Sequence, residues 1–263
     1  MTKSVMIYTE SIKRIGPKLS VVMVSDEQVI ETVFQSRSRM SVLLAVADGS
    51  TTTGALLEQD LASESAVYNA INELQDLDLL YKSGSKRWAV TGTGQVVADL
   101  IERQQAAESV LAADADYWET HDATVLPPKF RVRLSELAGG EVVRATETRP
   151  AQAVCEVEQC LESADSIGAI TPVYNARLTD TASEATPTRF VFDEAVLADI
   201  AEETDCDLHD AAEMVRVADV SITVTVTDEC LLLSLPTLDG DYDPTSEFIA
   251  RSDQARQWGN DLL

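Results

Sequence analysis

Between Ser63 and Val90 the chain changes its hydrophobic period, and that change limits the folds open to it. Val67, Ile71 and Leu74 recur at helical spacing on one face, which leaves Ser63, Ser65, Tyr68, Asn69 and Asn72 on the opposite face. Leu77, Leu79 and Leu80 follow. Two short extended arms then meet at Gly84, with Lys82, Lys86 and Arg87 near the tip. The pattern is a helix with a hydrogen-bonding outer face, followed by a basic hairpin.

The residues upstream supply the supports such a pair needs. Val29, Ile30 and Val33 suggest a leading helix. Met40, Val42, Leu43, Leu44 and Val46 form a strongly apolar helix that ends at Asp48-Gly49, where glycine suits a helix terminus. Ser50 to Thr53 offer caps for the next helix, which carries Leu56, Leu57 and Leu61, and Ser63 or Ser65 caps the polar helix.

Charge complicates any nucleic-acid function for this pattern. The chain of 263 residues holds 20 basic and 45 acidic side chains, a formal net charge of -25, while 45% of its residues are apolar. An apolar content this ordinary permits a real core and argues against disorder. The acidity instead suggests a host with molar intracellular salt, a halophilic archaeon. At ~1 M salt the Debye length is about 3 Å, so repulsion between distant carboxylates and phosphate is largely screened. Close hydrogen bonds and shape then carry more of the binding. The charge is also uneven. Residues 1–25 hold four basic side chains (Lys3, Lys13, Arg14, Lys18) against Glu10. Residues 26–92 hold five against ten, and residues 93–263 hold 11 against 34. The first segment is either a basic arm that lies along DNA or an extension preceding a true start at Met23.

The run Arg37-Ser38-Arg39-Met40 into a Leu-rich helix, the polar helix leading to Leu77-Asp78-Leu79-Leu80, and the hairpin ending Ala89-Val90-Thr91-Gly92-Thr93-Gly94 together resemble an archaeal winged helix-turn-helix regulator. The resemblance implies a DNA-binding unit over residues 26–92, with double-stranded DNA as partner. Ser63, Ser65, Tyr68, Asn69 and Asn72 are the residues placed to meet bases or phosphates, asparagine being suited to a bidentate contact with adenine. Lys82, Lys86 and Arg87 would meet phosphate or the minor groove, and Arg37 and Arg39 start a helix near the DNA backbone. The plainer alternative for each residue singly is a solvated side chain. The closing turn should begin a further helix carrying Val96, Val97, Leu100, Ile101, Ala107, Val110 and Leu111. We expect residues 93–122 to act as a spacer and as a homodimer interface, or else to pack within their own chain.

After Pro127-Pro128 strands and helices interleave. Glu141–Thr148, Ile167–Val173, Thr188–Phe192, Val215–Val217, Ser221–Thr227 and Cys230–Leu235 read as strands, and Gln152–Ala164, Asp193–Glu203 and a helix capped by Ser252 read as helices. The segments Ser166 to Tyr174, Ser221 to Leu235 and Ser252 to Gly259 resemble the Fil-type methanogenesis regulator domain over roughly residues 130–263. This resemblance implies a C-terminal sensor, distantly similar to phospholipase D folds. The expected fold class is therefore a two-domain α+β or α/β protein. A winged helix-turn-helix is followed by a spacer helix and an α/β sensor domain at residues 123–263.

Candidate chemistry is sparse. The His-x-Lys motif of phospholipase D chemistry is absent, no phosphate-binding glycine loop stands out, and carboxylate pairs carry no information in so acidic a chain. His121 and His209 lie in acidic surroundings and read as surface residues. Cys155, Cys160, Cys206 and Cys230 lack metal-ligand spacing and read as reduced thiols of a cytoplasmic protein. No cofactor, metal or catalytic residue is expected, and no apolar run approaches the roughly 18 residues of a membrane helix. The scarce arginines are more informative. Arg144, Arg149, Arg177, Arg189 and Arg216 fall near strand ends, where they either converge on a small anionic effector or pair with the abundant carboxylates. Tyr174 and Asn175 are further pocket candidates. The function expected is a sequence-specific transcriptional regulator with a ligand- or partner-sensing domain. The alternative is an interaction module that contacts transcription machinery without reading DNA.

Overall fold

The computed structural model describes residues 27–182, 185–203 and 215–263; the basic segment 1–25, Cys206 and His209 lie outside the described residues. The chain divides into two compact units, Met1–Ala98 and Asp99–Leu263.

Unit 1 contains α1 (Glu27–Phe34), α2 (Arg37–Ala47), α3 (Thr53–Glu58), α4 (Glu64–Asp76), β1 (Leu80–Lys82), β2 (Trp88–Val90) and the start of α5 (Gly92–Ala113). Side-chain oxygens begin the short helices. Ser36 accepts from the amide of Arg39, Thr52 from that of Ala55, and Ser63 from that of Ala66, which settles the cap of α4 on Ser63. The core is built from Val42, Leu43 and Val46 of α2 and from Val67, Ala70, Ile71 and Leu74 of α4, with Leu56, Leu80 and Trp88 around them. The antiparallel arms β1 and β2 pair Leu80 with Val90 and Lys82 with Trp88. A third strand-like segment leads into α3. Thr52 bridges Arg87, and the Trp88 amide donates to the Thr51 carbonyl at 2.7 Å. At the exit, Thr91 Oγ1 donates to the Asp78 carbonyl and accepts from the Gly94 amide. A Cβ on Gly94 would sit 2.1 Å from the Leu79 carbonyl oxygen, so only glycine lets α5 start this close to the residue before β1.

Unit 2 holds the rest of α5, then α6 (Ala115–Thr120), α7 (Pro128–Arg131), β3 (Glu141–Arg144), α8 (Gln152–Glu162), β4 (Ser166–Thr171), α9 (Ala176–Ala182), β5 (Thr186–Phe192), α10 (Glu194–Glu203), β6 (Val215–Val217), β7 (Thr223–Thr227), β8 (Leu231–Ser234), β9 (Ser246–Ala250) and α11 (Asp253–Leu262). A seven-stranded sheet runs in the order β3-β9-β8-β7-β4-β5-β6. Only the β4–β5 and β5–β6 pairs are parallel; the other four are antiparallel. The sheet is thus mixed, with its parallel strands gathered at one edge.

The α5 helix stops at Ala113 rather than running through the whole expected spacer. Asp114 is the reason, because its side chain accepts from the Tyr117 amide and caps α6. The strand expected over Glu141–Thr148 likewise ends at Arg144, where a turn closed by hydrogen bonds between Thr146 and Arg149 begins. Strand β9 and helix α9 were not expected. All five residues of β9 are buried, so the strand lacks the alternation that marks a half-exposed one.

One face of the sheet is closed by an aromatic core. Val224, Val226, Leu231, Leu233, Phe248 and Ala250 point toward it and meet Tyr117, Phe130 and Trp258. Trp258 is fully buried, stacks edge-on against Phe130 at 5.4 Å and donates from Nε1 to the Phe130 carbonyl at 3.2 Å. The Tyr117 hydroxyl donates to the Leu233 carbonyl and accepts from the Leu235 amide, pinning α6 to β8. Replacing Trp258 with alanine should cost about 3–5 kcal/mol. Trp258→Phe, which keeps a ring but orphans the Phe130 carbonyl, should lose roughly 1–3 kcal/mol. Urea unfolding of the full chain followed by far-ultraviolet circular dichroism measures both losses.

Candidate functional site

In unit 1 the outward face of α4 is polar from end to end. Ser63, Ser65, Asn69 and Asn72 are exposed, Tyr68 is 46% exposed, and their back rests on the buried Val67, Ala70, Ile71 and Leu74. Lys82, Lys86 and Arg87 are exposed on the hairpin. Lys82 places its ammonium 5.3 Å from the Trp88 ring, and Trp88 in turn donates to Thr53 Oγ1. Lys86 adopts a left-handed conformation with φ 67°, which turns the tip after Gly84. Arg37 is exposed at the start of α2. Arg39 is differently used. Its Nη1 lies 2.5 Å from Glu73 Oε2, so it ties α2 to α4 rather than standing free for another partner.

In unit 2 the second face of the sheet leaves a cavity of about 350 Å³ beneath α8 and α9, within the range of small-molecule pockets. Its walls are mostly apolar: Ala153, Val157 and Leu161 of α8, Leu178 and Ala182 of α9, and Phe190 and Phe192 of β5. Polar groups enter as a band across neighbouring strands, namely Thr223 and Thr225 of β7, Ser234 of β8 and Glu247 of β9. The register places Thr223 opposite Ser234 and Thr225 opposite Leu232. Glu247 is 5% exposed and accepts a short hydrogen bond from Ser234 Oγ. Burial pushes its carboxyl up to about 8, with the Ser234 hydrogen bond opposing that rise only in part. Tyr242, at the same cavity, is raised to about 12, first by burial and then by the charges of Glu247 and Asp243.

Tyr174 and Asn175 both line this cavity, and Asn175 caps α9 by accepting from the Leu178 amide. None of the five arginines is among its described lining residues. Arg144 lies on edge strand β3, bonded to Asp114 at 2.5 Å and to Asp116 at 3.1 Å. Arg149 is exposed in the turn beyond that strand. Arg177 pairs with Glu158 of α8, and Arg189 and Arg216 are exposed on β5 and β6. Four strands separate β3 from β5 in the sheet, so these guanidinium groups do not converge.

His121 corrects the expectation of a surface histidine: it is 4% exposed. Its ring stacks on Tyr117 at 4.3 Å, Nδ1 donates to the Tyr117 carbonyl at 2.9 Å, and Nε2 meets Asp243 Oδ2 at 3.2 Å. Both ring nitrogens thus have hydrogen-bond partners inside the core. Burial raises the Asp243 carboxyl, but hydrogen bonds from Ser246, Thr245 and His121 outweigh it and hold the group below its usual range. Cys160 and Cys230 are buried free thiols and Cys155 is partly buried.

Residues 150–263 match the family described as "Methanogenesis regulatory protein FilR1, middle domain". The methanogenesis regulatory protein FilR1 of Methanothrix harundinacea (strain 6Ac) is 22% identical over 211 residues, covering 75% of this chain and 47% of that protein. The chain therefore spans about half the length of this relative. These likenesses place it among proteins similar to an archaeal transcription regulator. Among solved structures, the archaeal chromatin protein TrmBL2 aligns with 90% of this chain and 96% of its own, at 13% identity and a TM-score of 0.38. An O-methyltransferase family protein from Burkholderia thailandensis covers 73% and 63% at 14% identity and a TM-score of 0.23. Both scores are too low to indicate a shared fold. No helix of the described residues is long and apolar enough to cross a membrane.

Glu247 makes stability depend on pH. Its carboxyl titrates near 4.5 when unperturbed and near 8 in the fold. Between those values the folded chain holds a proton that the unfolded chain has lost, so this group's contribution to stability falls as pH rises across that window. Glu247→Gln should melt with the parent at about pH 4 and increasingly above it up to about pH 8, where the gap levels off. Calorimetric melting of both chains across this range is the check, and a gap independent of pH would show that Glu247 is not the group responsible.

Proposed function

We propose that this chain is a transcriptional regulator that binds double-stranded DNA through unit 1 and senses a small molecule through unit 2. In this reading unit 1 is a winged helix-turn-helix, with α4 as the recognition helix and the β1–β2 hairpin as the wing. The observation that carries it is the division of labour on unit 1. A fully polar, exposed helix face is mounted on a sealed apolar back, and a hairpin follows whose three cations are all exposed. Asn69, Asn72, Ser65 and Tyr68 read bases through neutral groups, while Lys82, Lys86 and Arg87 hold phosphate. Ser63, spent partly on capping, and Arg37 lie at the margins of that surface. Arg39 serves the fold through Glu73.

The match of residues 150–263 to the middle domain of a regulator supports the assignment of unit 2 as the sensing half. The cavity beneath α8 and α9 is the place for its ligand, with Tyr174 and Asn175 at the wall. The excess of 45 acidic over 20 basic residues suits an archaeal cell with molar salt. We also assign α5 to a homodimer contact, because Val96 and Leu111 leave 58% and 43% of their surface exposed along it.

A specific observation favours a second reading, a module that meets transcription proteins without reading DNA. From Ser63 to Leu80 there is no Lys or Arg, while Glu64, Glu73, Asp76 and Asp78 are present. Genome-wide immunoprecipitation separates the two: peaks sharing a sequence motif support the regulator, and peaks that only follow polymerase support the interaction module. On selected duplexes at about 1 M KCl, replacing Lys86 and Arg87 with alanine should weaken binding to all sequences alike. Asn69→Ala should change the preferred sequence, with about 1–3 kcal/mol lost at one base pair. The opposite pattern would exchange the roles of helix and hairpin.

A further inference from the structure

We propose that the cavity of unit 2 binds a small organic cation, an amine carried on an apolar body, with Glu247 as its counter-ion. This inference rests on the reading of unit 2 as a sensor and adds the class of ligand it senses.

Glu247 puts a carboxyl group into an apolar cavity that has no Lys or Arg among its described lining residues. Glu247 is buried and faces the same space as Phe190, Phe192 and Leu178. Its hydrogen bond within the cavity comes from Ser234, and the neighbouring carboxylate that acts on it, Asp243, is negative. Burying a carboxyl this way is costly unless something pairs with it. Burial accordingly keeps the group protonated well above the usual range for a glutamate. A ligand that brings its own positive charge and hydrogen-bond donors offsets that cost.

The surroundings fit an ammonium better than a neutral or anionic group. An ammonium has three donors and no acceptor. Around Glu247 the cavity offers the hydroxyl oxygens of Ser234, Thr223 and Thr225, with Thr223 opposite Ser234 in the register. A carboxylate can take one donor as a charge-assisted bond, which is shorter and roughly twice as strong as a neutral one. A neutral alcohol would gain only an ordinary hydrogen bond. An anion would meet a carboxyl group and no Lys or Arg among the described lining residues. The apolar walls of α8, α9 and β5 then cover the carbon skeleton, and a volume of about 350 Å³ accommodates a body of several carbons. Because the pair forms out of water, molar salt screens it far less than it screens surface charge.

The test is calorimetric titration of the full chain at about 1 M KCl with hexylammonium, 1-hexanol and hexanoate. The same titrations are run on Glu247→Gln and on Leu178→Trp, which fills the cavity from α9. Thermal melting confirms that each variant is folded. Hexylammonium should bind the parent at least roughly tenfold more tightly than 1-hexanol, and hexanoate should be weakest. Glu247→Gln should erase the preference for the amine while leaving 1-hexanol unchanged, and Leu178→Trp should weaken all three. Equal binding of hexylammonium and 1-hexanol, a preference for hexanoate, an unchanged amine affinity in Glu247→Gln, or no binding of any probe would each overturn the proposal. Sequence-specific DNA binding measured on the same preparation keeps the two ideas apart. Its survival alongside failure of amine binding sinks only the ligand class, and its absence alongside intact amine binding sinks only the regulator.

Discussion

Unit 2 depends on a strand that has no exposed side. All four residues of β8, Leu231 to Ser234, are buried, and the strand is paired on both edges by β7 and β9. A strand in that position needs cover on both faces, because backbone pairing satisfies its amides and carbonyls but leaves two rows of side chains to be removed from water. The pleat then sends Leu231 and Leu233 one way and Leu232 and Ser234 the other. The first row meets Trp258, Phe130 and Tyr117, and the Trp258 Nε1 and the Tyr117 hydroxyl each find a backbone partner within the core. The second row runs toward α8 and α9 and is not fully filled. One strand thus divides the domain into a structural side and a side with space in it.

The two sides treat polar groups differently. On the aromatic side, His121, Asp243 and Ser246 satisfy one another, and Tyr117 has its hydroxyl bonded as donor and acceptor. Such a network tolerates burial because every group has a partner. On the cavity side Glu247 has Ser234, with no Lys or Arg among the described lining residues. The contrast within adjacent residues of one strand, Ser246 facing the satisfied network and Glu247 facing the cavity, makes the second site the one with capacity left for another molecule.

Much of this layout was legible from residue order. The faces of α4, the hairpin tip, the β7–β8 hairpin and the Ser252 cap of α11 all follow from local periodicity and local hydrogen-bonding chemistry, and the structure forms each of them. Glu247 was not legible, for two reasons. One more glutamate among 45 acidic residues carries no signal, and β9 is buried on both faces, so no alternation marked it as a strand. The usable clue was a lone acid inside Ser246-Glu247-Phe248-Ile249-Ala250, where an exposed strand would hardly group Phe, Ile and Ala. His121 misled for a different reason. Its acidic sequence neighbours suggested a surface, but its burial is set by Asp243 and Ser246, more than a hundred residues away. The arginines were scarce enough to draw notice, yet Arg144 and Arg177 answer carboxylates on their own unit.

The acidity of the chain bears on both units through a single physical distinction. Charges separated by water interact weakly once salt shortens the Debye length to about 3 Å, whereas a charge in a low-dielectric cavity is screened very little. On unit 1 this means that distant carboxylates matter less than the few groups able to touch a partner, so neutral side chains on α4 and three cations on a hairpin are not overruled by the net charge. In unit 2 it works in the other direction. Molar salt that muted the surface would leave the interactions of a buried group such as Glu247 largely unscreened. At molar salt, electrostatic interactions in a protein of this composition would therefore be strongest inside the fold, and contacts at its surface would rest on shape and short hydrogen bonds.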